Sequence, residues 1–210
     1  MNVSLNEIDA TAKKAARGAG YPWGLAEEAG KATRWLCRHN IDGCAALANL
    51  LDEMDGRDIA SISPSIEGQN WAAAGTVVCP LVAGAAISDR AQGFGSQGIE
   101  LRNVVSPILL APFLASIAQQ LNVTIRLTAE TAELHADGQR VSIIGEFPSL
   151  SHQATATIGS ELLNPNELCR RAFPDRTTWK RLNSFARRTY APATDESRLM
   201  GAGAGLSDND

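Results

Sequence analysis

The reactive chemistry of this 210-residue chain rests on three histidines, four cysteines and one glycine-rich stretch. His39, His135 and His152 have no partner at i+4 for a helical metal site, and none lies in a G-x-S-x-G nucleophile turn. Each is first a structural or surface residue. His152 is the candidate for general acid–base work, because Ser149-Leu-Ser-His-Gln153 reads as a polar loop, where catalytic groups concentrate. Cys79-Pro80 precedes a run of small residues at 82–86 that ends in Ser88-Asp89-Arg90. Small side chains let backbone approach backbone, which is core packing, or backbone approach a ligand. The second reading puts Asp89 and Arg90 at the rim of a pocket walled by loop 91–98, with Gly93 and Gly95 in it. Cys79 is then the candidate nucleophile, although apolar company raises a thiol pKa and leaves little thiolate. The catalytic candidates are therefore His152, Asp89 and Cys79; the ligand-binding candidates are Arg90, Gly93, Gly95 and, in the tail, Arg198.

Residues 170–188 hold seven Lys and Arg against one acid, Asp175. Such a run is the solvated face of a helix, an anion site for carboxylate or phosphate, or the partner of an acidic segment. It lacks the aromatics, interleaved on a basic face, that nucleic acid would ask for. Residues 195–210 supply an acidic segment through Asp195, Glu196, Asp208 and Asp210. The expectation is that the last ten residues are ordered, with Leu206 buried and a tail carboxylate on one of Arg170, Arg171, Arg187 and Arg188. Gly201-Ala-Gly203-Ala-Gly205 is not a dinucleotide fingerprint, which must follow a strand and open a helix, so no cofactor is expected. Cys37, His39 and Cys44 lack the second C-x-x-C of a zinc site, so no metal is expected either.

The whole chain has 19 basic and 23 acidic residues, a net charge of -4, and a pI near 5.4. That balance removes the field that draws a protein to nucleic acid or to an anionic membrane. The opening residues carry Glu7 and Asp9 with no cationic region before an apolar run, and no apolar stretch reaches a membrane span of ~18 residues, so a cytoplasmic protein is expected. Four cysteines are too sparse for a disulfide scaffold and read as reduced core thiols.

These groups must be positioned by elements that the sequence marks in part. Ser4-Leu-Asn-Glu7 is a capping box that opens a helix to about residue 17. Pro22 opens a second helix, 22–38, with Leu25, Ala29, Ala32 and Leu36 on one face and Glu27 paired with Lys31 on the other. Asp42 caps a third, to about residue 55, so 3–55 reads as one helical unit. Residues 56–70 read as a long connection. Residues 71–88 read either as a buried helix or as a strand at 76–79 followed by a helix at 81–88. Then come a loop at 89–98, a strand at 99–105 and a helix at 112–121. Val123, Ile125 and Leu127 alternate with polar residues as a half-buried strand, and segments 132–136 and 140–144 flank Asp137-Gly138 as a type I′ hairpin. A strand at 154–158, a helix start at 164–167 and a last helix after Asp175 complete the chain.

With 44% hydrophobic and 20% charged residues and a mean hydropathy of -0.11, this is an ordinary globular composition. The expected fold is α+β: an N-terminal helical unit, a mostly antiparallel sheet and C-terminal helices across it, in a single domain over residues 1–210. The alternative is a split into two domains near residue 60.

Ser4-Leu-Asn-Glu-Ile8, Lys14-Ala-Ala-Arg-Gly-Ala-Gly20, residues 23–31, Cys79-Pro80, residues 189–193, Ser197-Arg198 and the glycine-rich tail resemble, end to end, a bacterial family known as domain of unknown function 3726. The resemblance implies a bacterial cytosolic protein and confers no reaction and no catalytic residues. The opening helices are also similar to the N-terminal arm of type 2 malate and lactate dehydrogenases, whose body this shorter chain lacks. The functional expectation is a small-molecule enzyme, or a subunit of one, acting on an anionic bacterial metabolite, as a homo-oligomer or beside a partner subunit, without nucleic acid or membrane. The alternative is a non-catalytic accessory protein that docks a partner through its N-terminal helices, with Glu27, Glu28 and Lys31 on the docking face, and its C-terminal tail.

Overall fold

Local capping sets where the helices begin. The Glu7 N–H donates to Ser4 Oγ at 3.2 Å, and helix α1 runs Leu5–Gly18. The computed structural model describes residues 1–95, 98–159, 162 and 164–190. Helix α2 (Trp23–Arg38) follows Pro22, and α3 (Gly43–Met54) starts where the Ala45 N–H donates to Asp42 Oδ1 at 3.0 Å. Small residues bring α1 and α2 together: Ala12, Ala15 and Ala16 of α1 and Ala26 and Ala29 of α2 are all buried. On the outer surface Lys31 pairs with Glu28 and Lys13 with Glu27, so the expected Glu27–Lys31 pair is replaced by two others.

Residues 56–70 are more than a connection. They hold a short helix, α4 (Ile59–Ile62), and strand β2 (Pro64–Glu67), which pairs antiparallel with β3 (Asn70–Ala73). A two-residue strand β1 (Val3–Ser4) precedes α1. The expected strand at 76–79 shrinks to a single bridge between Val78 and Val104, and α5 (Pro80–Ser88) follows with Pro80 in its first turn. Next come β4 (Ile99–Val105), a 3₁₀ turn at Pro107–Leu110, α6 (Ala111–Leu121), β5 (Ile125–Ala129), β6 (Ala132–Ala136), β7 (Val141–Ile144) and β8 (Leu150–Ile158).

The seven-stranded sheet has the order β2-β3-β4-β8-β5-β6-β7, antiparallel except for the β3–β4 pair. Its period of two divides the residues by face. Leu101, Ile125, Leu127, Leu134, Ala154 and Ala156 are buried toward the helices. Arg102, Arg126, Thr128, Gln153 and Thr155 lie on the opposite face, exposed or half-buried. The fold is thus α+β, as expected.

Three local expectations are corrected. The β6–β7 hairpin forms, but Asp137 keeps a negative φ and only Gly138 is positive, at 94°, which is the type II′ arrangement rather than I′. The Asp137 carboxylate instead accepts the N–H groups of Gln139 and Arg140, at 3.1 and 2.8 Å. The helix expected at 164–167 is absent, because the Asn166 N–H donates to Val141 O and the Cys169 N–H to Arg38 O, both at 2.7 Å. The chain stays extended there and forms β9 (Arg171–Ala172), which pairs antiparallel with β1. The last helix, α7 (Arg176–Arg187), packs on α1 and α3 rather than across the sheet. Its Phe185 carbonyl sits so close to Gly18 that a Cβ there would lie 1.8 Å from the oxygen.

Candidate functional site

The catalytic candidates read from the sequence lie in three different settings. Cys79 is fully enclosed at the start of α5, with Sγ 3.3 Å from the Tyr21 hydroxyl, and burial pushes its pKa up. Asp89 follows the end of α5 and faces a cavity of about 490 Å³ shared with Glu28, Lys31, Trp35 and Phe113. His152 does not lie in a loop: it is exposed on β8, its Nδ1 3.3 Å from Asn103 Oδ1. A nucleophile and its base need hydrogen-bond reach. Cys79 is bonded to Tyr21 and His152 to Asn103, so the structure does not pair them.

Arg90, Gly93 and Gly95 do share a cavity, of about 530 Å³, walled also by Trp71, Phe94 and Ile99. Arg90 has an Ala86 carbonyl at 3.4 Å and no carboxylate partner among the described residues. Arg198 and the expected contacts of Leu206 and the tail carboxylates lie outside the described residues. Within the basic run, Arg181 pairs with Asp52 and Arg188 with Asp55, both acids coming from α3 and its end.

A more strongly charged cleft forms where β9 brings the 168–171 segment back to the start of the chain. Ser4, Leu5 and Asn6 at the head of α1, Arg34 and Arg38 on the last turns of α2, and Leu168, Cys169 and Arg170 enclose about 600 Å³. Arg34 and Arg38 are four apart and so share a helix face. Arg34 has a distant partner, Asp9 at 3.8 Å; Arg38 and Arg170 have no carboxylate partner among the described residues. Three arginines and no acidic residue line the wall, beside the positive end of a 14-residue helix. Guanidinium forks match carboxylate and phosphate oxygens. Only Arg170 was visible in the sequence as part of a charge run.

Two further arrangements escaped the sequence reading. The largest of these cavities, about 650 Å³, lies between α3, the 3₁₀ turn and the β7–β8 connection. At its polar wall Asn49 Nδ2 donates to Ser106 Oγ at 2.9 Å and to Ser149 O at 3.1 Å. Ser106 has φ 44° and ψ 59°, a conformation that non-glycine residues rarely adopt and that a following proline disfavours. The other is on the open face of the sheet, where His135 Nε2 and Glu133 Oε1 are 2.5 Å apart and Arg126 is 3.8 Å from the same oxygen. His135 is 8% exposed, and its Nδ1 is a buried nitrogen with no hydrogen-bond partner. The alternation of β6 was the available signal, since His135 occupies an outward position between two inward ones.

Fold and cleft together define an α+β protein with an arginine-walled pocket and no paired nucleophile and base among the residues considered above. Residues 3–79 match the model of a family described as protein of unknown function, DUF3726. No functionally curated protein matches the chain. Among solved structures, the malate dehydrogenase from Entamoeba histolytica is similar at 13% identity with a TM-score of 0.46, over 75% of this chain and 49% of that one. The chain thus spans about half the length of that enzyme. Among the described residues, no helix is long and apolar enough to cross a membrane, and no group of three or more His, Cys, Asp and Glu is placed to hold a metal ion.

Proposed function

We propose that this protein binds a small anionic metabolite in the cleft of Arg34, Arg38 and Arg170, and that it does so as a subunit of an enzyme in the bacterial cytosol. One observation carries the proposal: three arginines and no acidic residue line a 600 Å³ cleft, and two of the three have no acidic partner among the described residues. Unneutralised arginines held together repel one another, and a bound carboxylate or phosphate relieves that repulsion. Leu5 and Leu168 on the same wall suit a ligand with an apolar part beside its charge.

The test is calorimetric titration of the full chain with inorganic phosphate and with succinate. Saturable binding that Arg38→Ala and Arg170→Ala each weaken at least about tenfold, one bidentate contact being worth roughly 1.4 kcal/mol, supports the site. Binding that is absent, or unchanged in both variants, overturns it. A tenfold fall of binding with rising salt alone, equal in wild type and variants, counts as general charge attraction and also overturns it.

An accessory role is favoured by a different residue. Trp23 is 64% exposed at the start of α2, with Lys13 Nζ 5.8 Å and Arg17 Cζ 4.7 Å from its ring centre. An exposed indole under two cations is a common anchor at protein interfaces. Sedimentation of wild type as a dimer and of Trp23→Ala as a monomer supports self-association through this surface; a monomeric wild type removes that support.

A further inference from the structure

The turn between α2 and α3 brings two thiols together, and one glycine allows it. A Cβ on Gly43 would lie 2.7 Å from the Thr33 carbonyl oxygen and 2.9 Å from the Leu36 Cβ, so any side chain would push α3 off α2. With none there, the Sγ atoms of Cys37 and Cys44 stand 4.0 Å apart in a shared hydrogen bond, both thiols free. A disulfide has its sulfurs about 2.05 Å apart, so the bond asks for roughly 2 Å of sulfur movement. The two cysteines also line a cavity of about 200 Å³ with Asn40, Asp42, Arg171 and Phe173. A water molecule occupies about 30 Å³, so this space admits a hydroperoxide.

We infer that Cys37 and Cys44 are a dithiol modification site, converted by a hydroperoxide into an intramolecular disulfide. The Cys37 thiolate attacks one peroxide oxygen, the O–O bond breaks, and the departing oxygen leaves as water after taking up a proton. Cys37 is then a sulfenic acid. The Cys44 sulfur attacks it, the S–O bond breaks, and the hydroxyl group leaves with the Cys44 proton as a second water. Two thiols lose two electrons and two protons, and one hydrogen peroxide becomes two waters.

Exposure sets the order of attack: Cys37 keeps 6% of its surface open, whereas Cys44 is fully enclosed. A hydrogen bond from Cys44 holds the Cys37 thiol below its ordinary pKa, and the same bond, together with burial, pushes Cys44 up. Asp42 works against both ionisations. Cys37 is therefore the attacking sulfur and Cys44 the resolving one. Cys79 is a built-in comparison, since it is fully enclosed and burial raises its pKa.

The experiment treats the folded full chain with hydrogen peroxide, then denatures, alkylates and maps the peptides. Expected are a loss of two hydrogens per chain and a Cys37–Cys44 link, with Cys79 still open to alkylation after unfolding. In Cys44→Ser, dimedone should trap a sulfenic acid on Cys37 at least about tenfold faster than on Cys79. Where that variant does not fold, the wild-type time course decides alone: Cys37 and Cys44 must disappear in step. Separate sulfinic acids without a link, a link through Cys169, or oxidation of Cys79 at the same rate would each overturn the inference.

Discussion

Arg188 grips Asp55 with both arms of its guanidinium, Nη1 donating to Oδ1 at 2.6 Å and Nη2 to Oδ2 at 3.0 Å. The pair ties the end of α7 to the end of α3. Two turns back along α7, Arg181 Nε reaches Asp52 at 2.5 Å, and the Phe185 ring lies 4.6 Å from one guanidinium and 4.5 Å from the other. Part of the basic run at 170–188 is thus a structural clasp on two acids of α3 and its end.

That clasp predicts a pH dependence. The Arg188 hydrogen bond holds the Asp55 carboxyl below its ordinary pKa, with burial opposing it. A lowered folded-state pKa contributes stability that is present above the unfolded value near 3.9 and is lost as pH falls through the folded value. Asp55→Asn should therefore lower Tm at neutral pH by about 2 °C or less, as suits a solvent-screened pair, and the difference should vanish in strong acid. Thermal melts of both proteins from pH 7 down to about pH 2 check it; a gap that widens in acid contradicts the assignment.

Two glycines give opposite expectations for the same substitution. At Gly18 a new Cβ meets the Phe185 carbonyl at 1.8 Å, so Gly18→Ala should cost roughly 2–3 kcal/mol by forcing α7 away from α1. At Gly24 nothing lies within 4 Å, and Gly24→Ala should stabilise by up to about 1 kcal/mol through helix propensity. Urea unfolding of the two variants separates packing from propensity; equal shifts would refute the close approach.

Limited proteolysis at 56–70 should not leave two independent fragments. The Cys79 N–H donates to Ile62 O, the Gly75 N–H to Ser61 O, and β2–β3 continues through the parallel pair into β4. Cutting this segment should release peptides that are then degraded together. Two protease-resistant bodies on a gel would favour a division near residue 60.

For the arginine cleft, phosphate at ten times its Kd should stabilise the wild type by about 1.4 kcal/mol. Arg38→Ala should abolish most of that gain while changing the unliganded melt little, since Arg38 has no ion-pair partner among the described residues. Differential scanning calorimetry with and without phosphate reads both quantities.

The parts of the fold that were legible in the sequence are those fixed by nearby residues. Ser4, Asp42 and Asp175 act as helix caps because each side chain accepts an N–H two or three residues on. Strand β5 and the turn at Gly138 were legible for the same local reason. Asn164 carried an equally good cap signal and opened no helix, because the donors of Asn166 and Cys169 were claimed by Val141 and Arg38, residues distant in sequence. His152 was taken for a loop residue because Ser149–Gln153 is a polar run, yet the strand continues through it, pairing Ser151 with Val104 and Gln153 with Arg102. The arginine cleft joins residues 4–6, 34–38 and 168–170, and no local pattern reports such a meeting.

The pairing of β1 with β9, and of α1 with α7, places residues 3–18 against residues 171–187. A ribosome that has released residues 3–79 has delivered α1 with α2 and α3, yet not β9 and α7, which complete the packing around it. The flank of α1 that α7 covers, with Gly18 in its last turn, stays wet until residues 176–187 emerge. Translation therefore runs through about a hundred residues during which the opening helices wait unfinished, a span in which nascent apolar surface is open to chaperones or to neighbouring chains.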